Sequence, residues 1–312
     1  MTSTFEPVFD EGQQYSVVAD AEAALRAEDW TRVVEVFGHA DAYQQQCILQ
    51  LTGHLDACES MLEEVLQRNP SDSLAATLLA QRHVERGWSV LGDGPAAEVT
   101  ADQWAAYRQH LVTAEKLLIR VCAEHPQYAP AWRVRLVTSR GLDLGVVESQ
   151  RRFQRLSAIS PGDLAAQQLM FQELLPKWHG DFGKAHDFAW SCANAAPPGS
   201  PHAYLVVVYH LERWIAEHGI ALGKPVDDPQ AAAEIVAAGE MSVMNPGFIT
   251  ASGWIVALSH FALAYTLLEK WPQAQSCFTR LGPFASEFPW AYFDDGPRSA
   301  FMNFRKRAMG VR

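Results

Sequence analysis

The sequence predicts an all-α protein, and three observations predict it. Apolar residues recur at three- and four-residue intervals along most of the chain, as in AEAALRAED, ACESMLEEVLQR, SLAATLLAQRHVERGW, AEKLLIRVCAEH and FALAYTLLEKW. No stretch alternates apolar and polar residues as a half-buried strand does. The helical runs stop at recurring proline-marked turns, Asn69-Pro70, His125-Pro126, Ser160-Pro161, Ala196-Pro197 and Asn245-Pro246, and another amphipathic run follows each. At 312 residues the chain exceeds one ordinary core, so two domains or one extended repeat architecture is expected.

Taken in order, residues 1–15 form an N-terminal extension, 16–296 a helical-repeat region, and 297–312 a basic C-terminal tail. The prolines at 126, 161 and 197 are 35 and 36 residues apart. That is close to the period of helix-turn-helix repeats of about 34 residues, in which each pair must stack on its neighbour to bury its apolar face. The longer flanking intervals carry insertions rich in Gly, Pro and Asp: SVLGDGPAAEVTADQW (89–104) and EHGIALGKPVDDP (217–229). Each insertion leads into a helix start. Thr100 and Gln103 have capping-box spacing, and Asp228-Pro229 supplies a cap and a first-turn proline. AYLVVVY (203–209) is rich in β-branched residues, but it follows Ser200-Pro201 and runs into HLERWIAEHG, so it reads as the first turns of a buried helix. The segment 247–268 has 22 residues without a formal charge. Gly, Ser, Thr and His interrupt it, so buried turns of a large helical core are expected there instead of a membrane span.

The segment LSHFALAYTLLEKWPQAQSCFTRLG (258–282) resembles a tetratricopeptide repeat. Tyr265 falls at the helix-A aromatic, Trp271 at the aromatic opening helix B, Ala274 and Phe278 at the small and large packing positions, and Ala262 in place of the usual glycine. Gly53-His54-Leu55 with Cys58, Leu62 and Pro70 resembles a second helix B, and Pro126 followed by Trp132 a repeat junction. DWTRVVEVFGHA (29–40) and DFGKAHDFAW (181–190) are weaker copies, and His83 stands where the pattern has an aromatic. PKWHGDF (176–182) is also similar to a Pro-Lys-Trp-Gly segment of bacterial helical-repeat proteins. The resemblance implies a right-handed superhelix of stacked antiparallel helix pairs, whose groove binds a protein or peptide. With helix A lining that groove, the candidate contacts are Gln81, Arg82, Arg133, Arg135, Gln168, Gln172, Tyr209 and Arg213; the other reading of each is an ordinary wet helix face.

Twenty-five Lys and Arg against 36 Asp and Glu give a net charge of −11, which argues against nucleic acid and membrane surfaces as partners and for a basic one. After Asp295 the sign reverses, with Arg298, Arg305, Lys306, Arg307 and Arg312 and no acid. Five scattered cysteines without any C-x-x-C fit a reducing cytoplasm, and MTSTFEPVFDEG has acids where a signal peptide is basic. No G-x-x-x-x-G-K-[ST], G-x-G-x-x-G, H-E-x-x-H or G-x-S-x-G occurs, and no His has a Glu three residues before it.

One region concentrates chemistry. His179, His186, His202, His210 and His218 lie between 178 and 218 with Trp178, Trp190 and Trp214. His186 and Trp190 are i, i+4, and so are His210 and Trp214, so each pair shares a helix face. This suggests an alternative to the scaffold: an enzyme or cofactor-binding pocket with His186, His210, His179 and Asp181 as catalytic candidates. Trp178, Trp190 and Trp214 would wall it, and His186 and His210 are the candidate ligands of a metal or haem. The competing reading is that these rings fill space between repeats. No cofactor is predicted for the scaffold. A third reading is an acidic, immunity-type neutraliser of a basic toxin.

Overall fold

A computed structural model of the protein describes residues 5–92, 98–178, 180–218 and 224–310. They form α1 (Glu11–Gln14), α2 (Ser16–Arg26), α3 (Trp30–His39), α4 (Ala42–His54), α5 (Glu59–Arg68), α6 (Ser73–Leu91), α7 (Ala101–Glu124) and α8 (Ala129–Gly141). There follow α9 (Val146–Ile159), α10 (Leu164–Glu173), α11 (Phe182–Ala195), α12 (Tyr204–His218), α13 (Pro229–Met241), α14 (Trp254–Leu267), α15 (Trp271–Leu281) and α16 (Gly296–Ala308). Among the described residues there is no strand, only an isolated bridge between Val8 and Phe284. The fold is all-α.

Local chemistry sets the boundaries. Asp29, Asp72, Asp163, Asp181 and Asp228 each accept a first-turn backbone N–H at the starts of α3, α6, α10, α11 and α13. Thr100 and Gln103 close the expected capping box on α7, and Asp41 and Gln44 a second on α4. A side-chain cap of this kind contributes about 1 kcal/mol. Helices α5, α7, α9 and α11 each stop two residues before their proline, because the residue preceding a proline is driven out of the helical region. AYLVVVY enters α12 through a 3-10 turn at Pro201–Ala203. The 89–104 segment is part helix at both ends, and its middle, 93–97, lies outside the described residues.

The chain divides into two compact units: an N-terminal unit, Glu11–Gly180, and a C-terminal unit of Asp181–Arg312 with Met1–Asp10. In the N-terminal unit each helix from α6 to α10 packs on the next, and α4, α6, α8 and α10 pack on one another in turn. That alternation of neighbour and second-neighbour contact is compatible with stacked helix pairs. Helix α8, in contact with α4, α6, α7, α9 and α10, is buried from Pro130 to Ser139.

In the C-terminal unit α12 packs on α11, α13 and α14, and α14 on α15 and α16. Every residue of α14 from Ile255 to Leu267 is buried. The helix is about 21 Å long, short of a bilayer's apolar core of about 30 Å. No described helix is long and apolar enough to cross a membrane. Ala262, Tyr265, Ala274 and Phe278 are all buried, and the Tyr265 hydroxyl reaches Gly239 of α13, where a Cβ would come within 1.8 Å of it. Most of 297–312 is α16, whose Phe301 and Phe304 are buried beside Trp290. Phe5 stacks on Phe301 with ring centroids 6.3 Å apart, and Val8 N–H donates to Pro283 O at 2.7 Å, so the first residues strap this end of the unit.

Candidate functional site: a carboxylate shared by two imidazoles

The C-terminal unit assembles its site from three consecutive helices. Asp181 caps α11 and sets His186 and Trp190 one turn apart on one face. Helix α12 contributes Tyr209, His210, Arg213 and Trp214. Asp228 caps α13 and is followed by Gln230 and Glu234, again one turn apart. Glu234, which sequence reasoning missed, joins them. Its Oε2 lies 2.8 Å from His186 Nε2, 3.1 Å from His210 Nε2 and 3.4 Å from Trp190 Nε1, and Gln230 donates to Oε1 at 3.1 Å. The Tyr209 ring packs edge-on against both imidazoles, with centroids 4.8 and 4.9 Å away. Beside it Asp228 accepts from Arg213 and, at 3.3 Å, from Trp214 Nε1.

The electrostatics follow from burial and bonding. Burial alone would raise the Glu234 carboxyl, but the hydrogen bonds from His186, Gln230 and Trp190 outweigh it and lower it to about 2. Burial pushes the fully buried His210 down to about 4, against the pull of the Glu234 carboxylate. At neutral pH Glu234 is therefore ionised and His210 neutral. An ionised acceptor fixes the tautomer of a neutral ring, so the His210 proton sits on Nε2 and its buried Nδ1, which has no hydrogen-bond partner among the described residues, presents a lone pair. His186 is part exposed, and its Nδ1 lies 3.8 Å from the exposed Asp187. This arrangement can orient an imidazole and hold a proton. It offers a metal little, because Oε2 already takes the His210 proton and His186 Nε2 is engaged by Oε2 at 2.8 Å and by the Trp190 N–H at 3.2 Å. Among the described residues no group of three or more His, Cys, Asp or Glu could hold a metal ion.

The other predicted residues are placed as follows. His179 and the side chain of His218 lie outside the described residues. Asp181 caps α11 and pairs with Lys184 at 2.9 Å. Trp178 belongs to the N-terminal unit, on a 3-10 turn from Pro176, with the Arg140 guanidinium 5.2 Å from its ring. Just after it a Cβ at Gly180 would lie 2.0 Å from the Leu174 carbonyl oxygen, so PKWHG needs its glycine. Gln168 and Gln172 are half-buried. Gln81 is buried and donates to Glu85 at 2.9 Å.

Arg82, Arg133 and Arg135, read from the sequence as groove contacts, are at most 8% exposed. Arg82 is bound to the Gly53 carbonyl and to Asp56 and Glu59. Arg133 donates to Asp163 at 2.7 Å and to Gln45. Arg135 donates to Glu115 at 2.8 Å above the Trp132 ring. Glu115 also accepts from Arg152 at 2.8 Å and from Thr138. These guanidinia are held by carboxylates of their own unit, Asp163 and Glu115 buried and Asp56 exposed, so polarity in the sequence did not mark exposure.

No protein-family model matches the chain, and no curated protein sequence matches it significantly.

Proposed function

We propose that this chain is a cytoplasmic interaction module, a tetratricopeptide-like right-handed superhelix that takes a basic protein or peptide partner. One observation carries the reading. Among the described residues the buried charges cancel in number, four arginines (Arg82, Arg133, Arg135, Arg152) against four carboxylates (Glu115, Asp163, Glu173, Glu212). The net charge of −11 therefore falls on the remaining side chains. A surface of that sign attracts cations over about 8 Å at physiological salt and repels phosphate and anionic lipid. The neutraliser of a basic toxin is a special case, in which surface carboxylates stand in for nucleic-acid phosphates. Capture from lysate at low salt tests the reading. A basic protein should bind and be released as salt is added; an acidic or salt-insensitive partner would count against it.

The Glu234 cluster favours a second reading, an acid–base or ligand-binding site at His186. The ultraviolet-visible spectrum and elemental content of the purified protein separate the two. A stoichiometric chromophore or metal that is lost in Glu234→Gln supports the second. A colourless, metal-free sample whose partner binding ignores that variant supports the first.

A further inference from the structure

Residues 5–10 are held unlike the helices around them. They run without helix, and their backbone pairs with the 283–285 segment: Val8 N–H donates to Pro283 O at 2.7 Å, and Ala285 N–H to Val8 O at 3.0 Å. In an extended segment residues four apart face the same side. Phe5 and Phe9 accordingly both reach Phe301 of α16, the first stacked with ring centroids 6.3 Å apart, the second edge-on at 6.4 Å. The Arg305 guanidinium lies 3.9 Å from the centre of the Phe5 ring, and Arg298 meets Glu6 at 3.5 Å with both side chains mostly exposed. An extended segment that pairs with a backbone edge and seats alternate side chains is a recurring mode of peptide recognition.

The fit leaves positive charge unanswered. The last turn of α16 carries Arg305, Lys306 and Arg307, on a chain whose net charge is −11. Among the described residues Glu6 reaches only Arg298, Arg305 and Lys306 pair with no carboxylate, and Arg305 Nε is buried without a hydrogen bond. We propose that Phe301, Arg298, Arg305 and the 283–285 edge form a docking surface for an extended, acidic segment of a partner protein with two aromatic residues four apart. The chain's own arm is the tethered stand-in for that segment. It supplies the aromatic pair and the backbone pairing; a partner that also brings a carboxylate to Arg305 or Lys306 adds what the arm lacks and displaces it. Tethering gives the arm an effective concentration of about 1 mM, so a free segment competes at a disadvantage until the arm is weakened. This surface asks for the opposite charge from the basic partner proposed above and does not rest on that reading.

The probe is a fluorescent peptide of residues 1–10, MTSTFEPVFD, added to the full chain and followed by anisotropy. The double variant Phe5→Ala, Phe9→Ala should bind it at least tenfold tighter than wild type, because its own arm no longer competes. Adding Arg305→Glu to that variant should remove the gain. A peptide that keeps Phe5, Glu6, Pro7, Phe9 and Asp10 and has alanine elsewhere should bind within about fivefold of the parent, since those residues carry the proposed chemistry. Equal binding by wild type and the double variant, indifference to Arg305→Glu, or loss of binding by the alanine peptide overturns the proposal. So does a wild type that sediments as a dimer with exchanged arms, which would seat a second copy on this face. Circular dichroism shows whether the variants fold. Should the double variant not fold, amide exchange in isotope-labelled wild type with unlabelled peptide at about 1 mM and above decides. The Val8 amide should lose protection as the arm leaves while the Ala285 amide keeps it; both unchanged would overturn the proposal.

Discussion

Replacing Glu115 by Gln removes the one carboxylate that, among the described residues, faces two buried guanidinia. Arg152 keeps Glu148, 2.7 Å from its Nε, but among the described residues Arg135 pairs with no other carboxylate and is left charged and buried above Trp132. Breaking a buried ion pair by removing one member costs about 3–5 kcal/mol, because the survivor is desolvated without compensation. The Arg135 contact with Trp132 is present before and after the change and so cancels, but the amide oxygen of Gln still accepts hydrogen bonds. The expected loss is therefore near the lower end, about 3 kcal/mol. With a urea slope of about 2 kcal/mol/M, the midpoint falls by about 1.5 M. Because the chain has two compact units, the transition should be followed by hydrogen exchange of α8 amides, which report the unit that holds the network. A compensating Arg135→Met should recover at least half of the loss, since no charge is then stranded. A loss below about 1 kcal/mol, or a double variant no better than the single, would refute the reasoning.

Two further outcomes test the C-terminal unit. Gly239→Ala puts a Cβ onto the Tyr265 hydroxyl in a fully packed core and should cost about 1–3 kcal/mol by thermal unfolding. Adding Tyr265→Phe removes the atom it strikes and should restore part of that loss; a neutral Gly239→Ala contradicts the packing. Stability should also fall with acid. Burial holds His210 and His260 near about 4, so the unfolded chain takes up protons from its usual value near 6.5 downward that the folded state refuses. Their contribution is complete above pH 6.5 and is lost towards pH 4, at up to about 1.4 kcal/mol per pH unit for each group. Glu234, lowered to about 2, adds a second loss between about pH 4.5 and 2. Urea unfolding of the wild type at pH 7, 6 and 5 reads the first window, and His210→Gln should remove one proton from the slope. Equal stability at all three pH values would contradict the assignment.

Much of the fold was legible because its determinants are local. The Thr100–Gln103 box, the Asp228-Pro229 start and the prolines at 70, 126, 161 and 197 act within one turn of the residues that encode them. The packing of 258–282 was legible for the same reason, since helix spacing fixes which of Tyr265, Ala274 and Phe278 share a face. The site was half legible. The i, i+4 spacing of His186 with Trp190 and of His210 with Trp214 fixed two faces, but Glu234 lies 24 residues beyond His210 in the alanine-rich run AAAEIVAAGEM, with no local sign of its partners. One signal was available: Glu234 is the acid one turn past Gln230 in the helix that Asp228 caps, next in order to the two that carry the histidines. Arg82, Arg133 and Arg135 misled for a physical reason. A buried guanidinium and a solvated one look alike in sequence, and the acids that neutralise them stand 20 to 30 residues away.

The central claim is that the uncompensated surface charge selects a basic partner. Its most direct test is the association rate of the captured partner across an ionic-strength series from about 50 to 200 mM, in which the Debye length shortens and steering weakens. The account predicts a rate that falls steeply with salt while the dissociation rate changes little. An association rate that stays constant across the series would contradict it.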